Sequence, residues 1–201
     1  IDVRLVGSEM CIRDSLYSHR STVLHAWSSA TPDMLGIAAR DAVMPVVPMF
    51  HVNAWGLPYA ATLIGAKLVL PGAAMDGESV YQLIEDEGVT FSAGVPTVWL
   101  GLLEYLERSG KRLDSFERCV IGGSATPRAM IVKLQEEYGV NVLHAWGMTE
   151  MSPLGTIASF KSGMEDRTCD DQMDIKVKQG RPPYLMEMKI TDDDGNELPR
   201  D

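Results

Sequence analysis

The chain has 201 residues, 45% of them hydrophobic, and its 28 acidic against 18 basic side chains give a formal net charge of −10. That is apolar material for one sizeable core, so the chain is one large domain or a piece of a larger one. The acidic balance argues against nucleic acid or an anionic membrane as the main partner, and no apolar run reaches the length of a membrane span. Three cysteines, Cys11, Cys119 and Cys169, show no CxxC spacing. Neither a zinc site nor a disulfide framework is indicated, which makes a reducing, cytoplasmic setting the expectation.

Residues 1–15 show neither helical nor strand period and fit poorly with the rest of the chain, so they are expected to be a non-native leader. From Ser18 the pattern is regular. Ser18 and Ser21 offer capping hydroxyls, and Val23, Leu24, Ala26 and Trp27 give a helical apolar face. Residues 42–48 read as a short strand whose prolines place it at a sheet edge or end it early. Phe50, His51, Asn53 and Trp55 stand where that strand gives way to a helix, which runs through about Ile64 and stops near Gly65. Residues 67–71 are the next strand. Asp76 then caps a helix with Val80, Leu83 and Ile84 at helical spacing.

Residues 89–94 read as a strand, residues 98–106 as a buried helix, and residues 117–121 as a further strand. A helix from about Pro127 to Tyr138 leads to the buried strand at residues 140–143, which is expected to end in a Gly-kinked turn over residues 144–150. Strands alternating with helices predict an α/β fold with a mostly parallel sheet flanked by helices. Beyond Pro153 the polar residues 159–174 read as a surface loop. Residues 185–190 alternate like a half-exposed strand, and residues 192–197 look like a turn, together a C-terminal β-hairpin segment. The acidic run in that turn lacks the EF-hand spacing and reads as solvated.

Two strand-end loops carry the chemistry. In Gly122-Gly123-Ser124-Ala125-Thr126-Pro127, two glycines let the backbone approach a ligand, and the N–H groups at the start of the next helix favour anionic atoms. A tight turn without a ligand explains a lone Gly-Gly equally well. In Trp146-Gly147-Met148-Thr149-Glu150, a hydroxyl and a carboxylate stand beside an aromatic, a set that suits phosphate, a cation and a flat ring. The same residues also fit an ordinary strand exit. In a parallel sheet both loops open at carboxyl ends of strands one helix apart, where α/β sites form, so the pair weighs more than either alone. The four histidines show no metal-ligand spacing, and only His51 stands in a suggestive aromatic setting. Ser124 lacks a nucleophile elbow, because Thr126 occupies the last position of G-x-S-x-G.

These motifs resemble those of the AMP-forming acyl-CoA synthetases, the adenylate-forming ligase superfamily. Trp146 to Glu150 is similar to the family's [YW]-G-x-T-E motif, and Gly122-Gly123-Ser124-Ala125 to its adenine-side loop. Residues 48–56 resemble its aromatic-His segment, in the form used by the medium- and long-chain fatty-acyl branch. Gly180-Arg181-Pro182 matches its G-[RK]-P turn. The resemblance covers about residues 16–201. It implies ATP or AMP, Mg²⁺ and coenzyme A as ligands, a fatty acid or other carboxylate as substrate, and a homodimer for the intact parent. By the resemblance, Thr149 bonds phosphate oxygens and Glu150 holds Mg²⁺, the two catalytic positions. Trp146, Gly147 and the backbone of Gly122, Gly123, Ser124 and Ala125 bind the nucleotide. His51 and Trp55 border the acyl channel, Trp55 as a candidate gate, with Val95 and Pro96 in its apolar wall.

The chain departs from the family pattern at both ends. A phosphate loop ending in Pro-Lys-Gly is expected before Leu16, and a ribose-binding Asp, a hinge and a small domain with a catalytic Lys after Asp201. The expectation is therefore a partial AMP-binding domain, residues 16–201, truncated at both ends and inactive alone. Three other readings stand beside it: an aryl- or amino-acid-adenylating enzyme of the same superfamily, an α/β hydrolase using Ser124, and a non-catalytic nucleotide-binding domain.

Overall fold

The structure, a computed structural model, describes residues 16–199. The expectations for residues 1–15 and for Asp201 lie outside them. Strands β1 (Ala42–Pro45), β2 (Lys67–Leu68), β3 (Phe91–Gly94), β4 (Arg118–Ile121), β5 (Asn141–Gly147) and β6 (Leu154–Ile157) form one sheet in the order β2-β1-β3-β4-β5-β6. The first five run parallel and β6 is antiparallel to β5. Helices α1 (His19–Ser29), α2 (Leu57–Ile64), α3 (Gly77–Glu87), α4 (Pro96–Ser109), α5 (Arg128–Glu136) and α6 (Cys169–Lys176) cover it.

Alternation along each strand sets the layers. Met44, Cys119, Ile121 and Val142 point to one core, filled by Val80, Ile84, Trp99, Leu102, Ile131, Leu134 and Met173 from α3 to α6. Val43, Phe91, Ala93, Val120 and Ala145 point to the other, filled by Ala26, Leu57 and Ala60 from α1 and α2. Both faces of a parallel sheet are thereby buried, as crossover helices require. α1 and α3 begin at side-chain caps: Ser18 Oγ accepts from the Ser21 N–H, and Asp76 accepts from the Ser79 N–H.

At the amino ends of the strands, Asp41 joins three of them. Its carboxylate accepts from Arg118 Nη2 at 2.6 Å, from Thr90 Oγ1 at 2.8 Å and from the Ala38 N–H at 2.8 Å. Arg118 Nη2 also donates to the Gly36 carbonyl, and its guanidinium lies over the Phe91 ring. The carboxyl ends are left to the site.

Several expectations need correction. The strand at residues 42–48 does end early, at Pro45, but it is internal, between β2 and β3. Pro45 is its last residue, and the N–H of Val46 resumes bonding to the Ala93 carbonyl. The strand expected to stop at residue 143 continues to Gly147 and meets β6, which the sequence reading missed. The helix expected to begin near residue 50 begins at Leu57, after a separate one-turn helix, Val52–Trp55. Helix α6 lies inside the stretch read as a loop. Thr168 caps it and Asp170 and Asp171 suit its N-terminal dipole, while only Met173 and Lys176 are buried, too few for an apolar period. Residues 185–190 form no strand. The turn expected at residues 192–197 forms, with the Asp192 N–H bonded to the Asn196 carbonyl, but its flanks are reduced to the bridge Thr191 to Glu197 and a bond from the Leu198 N–H to the Ile190 carbonyl, and Ile190 is 68% exposed.

Candidate active site

β4 and β5 lie side by side, so their exits do too. Gly122 follows Ile121, and its N–H bonds the Gly94 carbonyl at the end of β3. Beyond a register shift between Trp146 and Gly147, the loop to β6 folds back on itself, with the Met148 N–H bonded to the Pro153 carbonyl at 2.9 Å. Bulges of this kind re-aim side chains beside active sites. Thr149 to Met151 make one 3₁₀ turn that buries Thr149 and leaves Glu150 exposed. The Tyr17 hydroxyl donates to the Thr149 carbonyl and ties this loop to the segment before α1. Burial first, and the Glu150 carboxylate second, push the Tyr17 phenol up from its ordinary pKa. Glu150 thus places negative charge at the loop.

The close approach of Gly147 to the returning chain is a requirement for this loop. A Cβ at position 147 would lie 2.2 Å from the Pro153 carbonyl oxygen. Gly147→Ala is therefore expected to destabilise the fold by about 1–3 kcal/mol, the usual range for overpacking. Urea denaturation checks it, and an unchanged midpoint would show that the loop yields.

Between the strand exits and α1 lies a cavity of about 390 Å³, within the range of small-molecule sites. Its wall brings together His51, Trp55, Gly122, Gly123, Trp146, Gly147, Thr149 and Glu150, all singled out from the sequence. Ser124 and Ala125 are exposed on the same loop but outside that wall. Pro96 is the first residue of α4, also outside it. Val95 stands beside the loop, since a Cβ on Gly123 would lie 3.1 Å from Val95 Cγ1. A second cavity, about 370 Å³, shares Val52 and Thr149 with the first.

Much of the rest of the lining is not legible in the sequence: His25, Leu35, Leu57, Ala93, Val120 and Ala145. Ala93 pairs with Val120 across β3 and β4, while His25 and Leu57 come from α1 and α2 and Leu35 from the segment between α1 and β1, so these residues converge only through the tertiary fold. His25 is the unexpected one. Its Nε2 is buried and has no hydrogen-bond partner among the described residues, and burial lowers its pKa to about 4. In the unfolded chain the imidazole titrates near 6.5, so between these values the unfolded state binds more protons. This contribution to stability is complete above pH 6.5 and is lost as pH falls through about 4. His25→Phe is expected to flatten stability across that window, measured by denaturation at several pH values.

The polar residues of the lining also suit a cation. Among the described residues no cluster of three or more His, Cys, Asp or Glu could cage a metal. One carboxylate, Glu150, beside one hydroxyl, Thr149, fits a hard cation such as Mg²⁺, which commonly takes one or two carboxylates and completes its shell with phosphate and water.

The family model of AMP-binding enzymes matches residues 16–201. The chain belongs to the AMP-binding enzyme family. It is 53% identical over 186 residues to a 3-methylmercaptopropionyl-CoA ligase from Ruegeria lacuscaerulensis, a match covering 92% of this chain and 34% of that protein. Identity and coverage are the same for a medium-chain-fatty-acid–CoA ligase from Ectopseudomonas oleovorans. The crystal structure of a long-chain-fatty-acid-CoA ligase from Archaeoglobus fulgidus superposes with a TM-score of 0.73 at 26% identity, covering 90% of this chain and 36% of that one. The chain thus spans about a third of the length of the curated relatives it matches. In this member of the AMP-binding family, the loops after β4 and β5 line one cavity together with His25 of α1 and Leu57 of α2.

Proposed function

We propose that the chain is part of an ATP-dependent fatty-acyl-CoA ligase. A carboxylate oxygen of the acid attacks the α-phosphorus of ATP, and pyrophosphate leaves to give an acyl-adenylate. The coenzyme A thiol then attacks the acyl carbon, and AMP leaves. The protein contributes position and charge rather than a covalent intermediate. The observation that carries this reading is one cavity whose wall combines a hydroxyl and a carboxylate, Thr149 and Glu150, with a largely apolar lining.

In this reading Thr149 donates to phosphate oxygens, and Glu150 with Thr149 would hold Mg²⁺, which neutralises phosphate charge when bound. Trp146 and the backbone from Gly122 to Ala125 line the adenine side. His51 and Trp55 flank the acyl chain, and Val95 and Pro96 support the loop at Gly123. The names of the relatives, a medium-chain and a long-chain ligase among them, support a fatty acid over an aryl or amino acid. A cytoplasmic enzyme, homodimeric when complete, is the corresponding biological unit.

The test is release of pyrophosphate by the longer protein that includes this chain, given octanoate, ATP and Mg²⁺, followed by thioester formation with coenzyme A. Both are expected. Labelling of Ser124 by a serine-directed phosphonate, with no acid-dependent pyrophosphate, would favour a hydrolase instead. AMP binding without either step would favour a non-catalytic nucleotide-binding domain.

A further inference from the structure

Trp55 reaches the cavity from a backbone that ordinary residues avoid. Val52, Asn53, Ala54 and Trp55 have φ of 43°, 56°, 52° and 56°, and Gly56 continues at 76°. Four successive non-glycine residues in the left-handed region persist only where their surroundings hold them. Within the turn, the Ala54 N–H bonds the His51 carbonyl and the Gly56 N–H bonds the Asn53 carbonyl. These bonds close the turn but do not choose its hand.

His25, from α1, meets the end of this turn. A Cβ at position 56 would lie 2.6 Å from His25 Nδ1 and 2.7 Å from Cε1. The imidazole edge therefore fills the space of the side chain that Gly56 lacks. No polar bond explains its place, because Nε2 is buried without a partner among the described residues. On the other side, a Cβ at Gly122 would lie 3.3 Å from Trp55 Cη2, and one at Gly123 would lie 3.9 Å from Cζ2. Contact runs from His25 through Gly56 and Trp55 to the glycine loop after β4.

We infer that His25 is a positioning residue: its ring wedges against Gly56, holds the left-handed turn, and so fixes where Trp55 stands and how far the cavity extends. Shape does this rather than hydrogen bonding. Its consequence for substrate choice rests on the ligase reading above; the wedge itself does not.

The chain has four tryptophans, Trp27, Trp55, Trp99 and Trp146. Fluorine NMR of the fluorotryptophan-labelled chain, with Trp55 assigned through Trp55→Phe, reads the wedge directly. His25→Ala is expected to shift or split the Trp55 resonance. Trp99, fully buried on the opposite face of the sheet, is expected to stay in place and so reports that the fold is intact. His25→Phe, which keeps a ring, is expected to leave Trp55 where it was. An unmoved Trp55 in folded His25→Ala overturns the inference, and so does a displaced Trp55 in folded His25→Phe. If His25→Ala unfolds, His25→Phe decides. In the complete ligase, His25→Ala is expected to raise KM for octanoate about tenfold, a size typical of a lost apolar contact, with KM for ATP unchanged. Equal changes in both would remove the role in substrate choice. Absence of acyl activation in the unsubstituted enzyme would count against the ligase reading and leave the NMR result to judge the wedge.

Discussion

On the ligase reading proposed above, replacing Glu150 with alanine in the longer protein is expected to lower acid-dependent pyrophosphate release by about 10²–10³-fold, the usual effect of removing one preorganised charge-stabilising group. Thr149→Ala is expected to lower it by about 10- to 100-fold, the worth of one hydrogen bond to a charged oxygen. The two differ because of what each offers. Glu150 is exposed at the turn and supplies a full charge, whereas Thr149 is buried and supplies a hydroxyl. Glu150→Gln keeps the shape and loses the charge, so it should resemble Glu150→Ala and raise the Mg²⁺ needed for half-maximal rate. Rates like those of the unsubstituted enzyme for all three variants would remove both residues from the assigned roles.

Asp41→Ala is expected to destabilise the fold by about 2–4 kcal/mol, because it leaves a largely buried arginine with only the exposed Glu117 carboxylate, 3.3 Å from Nη1, as counter-charge. The side chains of Asp41 and Arg118 are 1% and 15% exposed, and their bond is 2.6 Å. Burial alone raises the Asp41 carboxyl, but its bonds to Arg118, the Ala38 N–H and Thr90 outweigh that and hold it below its ordinary value. Because the folded value is depressed, this stability is present above the ordinary carboxyl pKa of about 3.9 and is lost as pH falls below it. Denaturation of Asp41→Ala, Arg118→Met and the double variant measures the coupling. The double variant is expected to cost less than the sum of the singles. A loss under about 1 kcal/mol for Asp41→Ala would mean that Arg118 finds other partners.

Fold and site were legible to different depths, for physical reasons. The alternation of β1 to β5 with helices follows from local periods and caps such as Ser18 and Asp76, which act within a few residues. β6 has no such local signal and depends on pairing with the extension of β5, while α6 has a cap at Thr168 but no apolar period, because it buries only Met173 and Lys176. The loop part of the site was legible because Gly122, Gly123, Thr149 and Glu150 sit in contiguous motifs. The apolar lining was not, because Ala93, Val120 and Ala145 look like ordinary core residues until the packing of β3, β4 and β5 brings them to one wall. His25 was hidden for a further reason. Its partner, Gly56, contributes only an absent side chain, and no sequence pattern records the space that a distant ring fills.

A crystal structure of the complete enzyme with a hydrolysis-resistant octanoyl-adenylate tests the assignment of this cavity most directly. Adenine is expected to pack between Trp146 and the Gly122 to Ala125 loop, with the phosphate mimic within hydrogen-bond reach of Thr149. The acyl chain is expected to run between His51 and Trp55 toward Leu35 and Leu57. Adenosine bound away from the exits of β4 and β5, or an acyl chain outside the cavity lined by His25 and Trp55, would contradict the assignment.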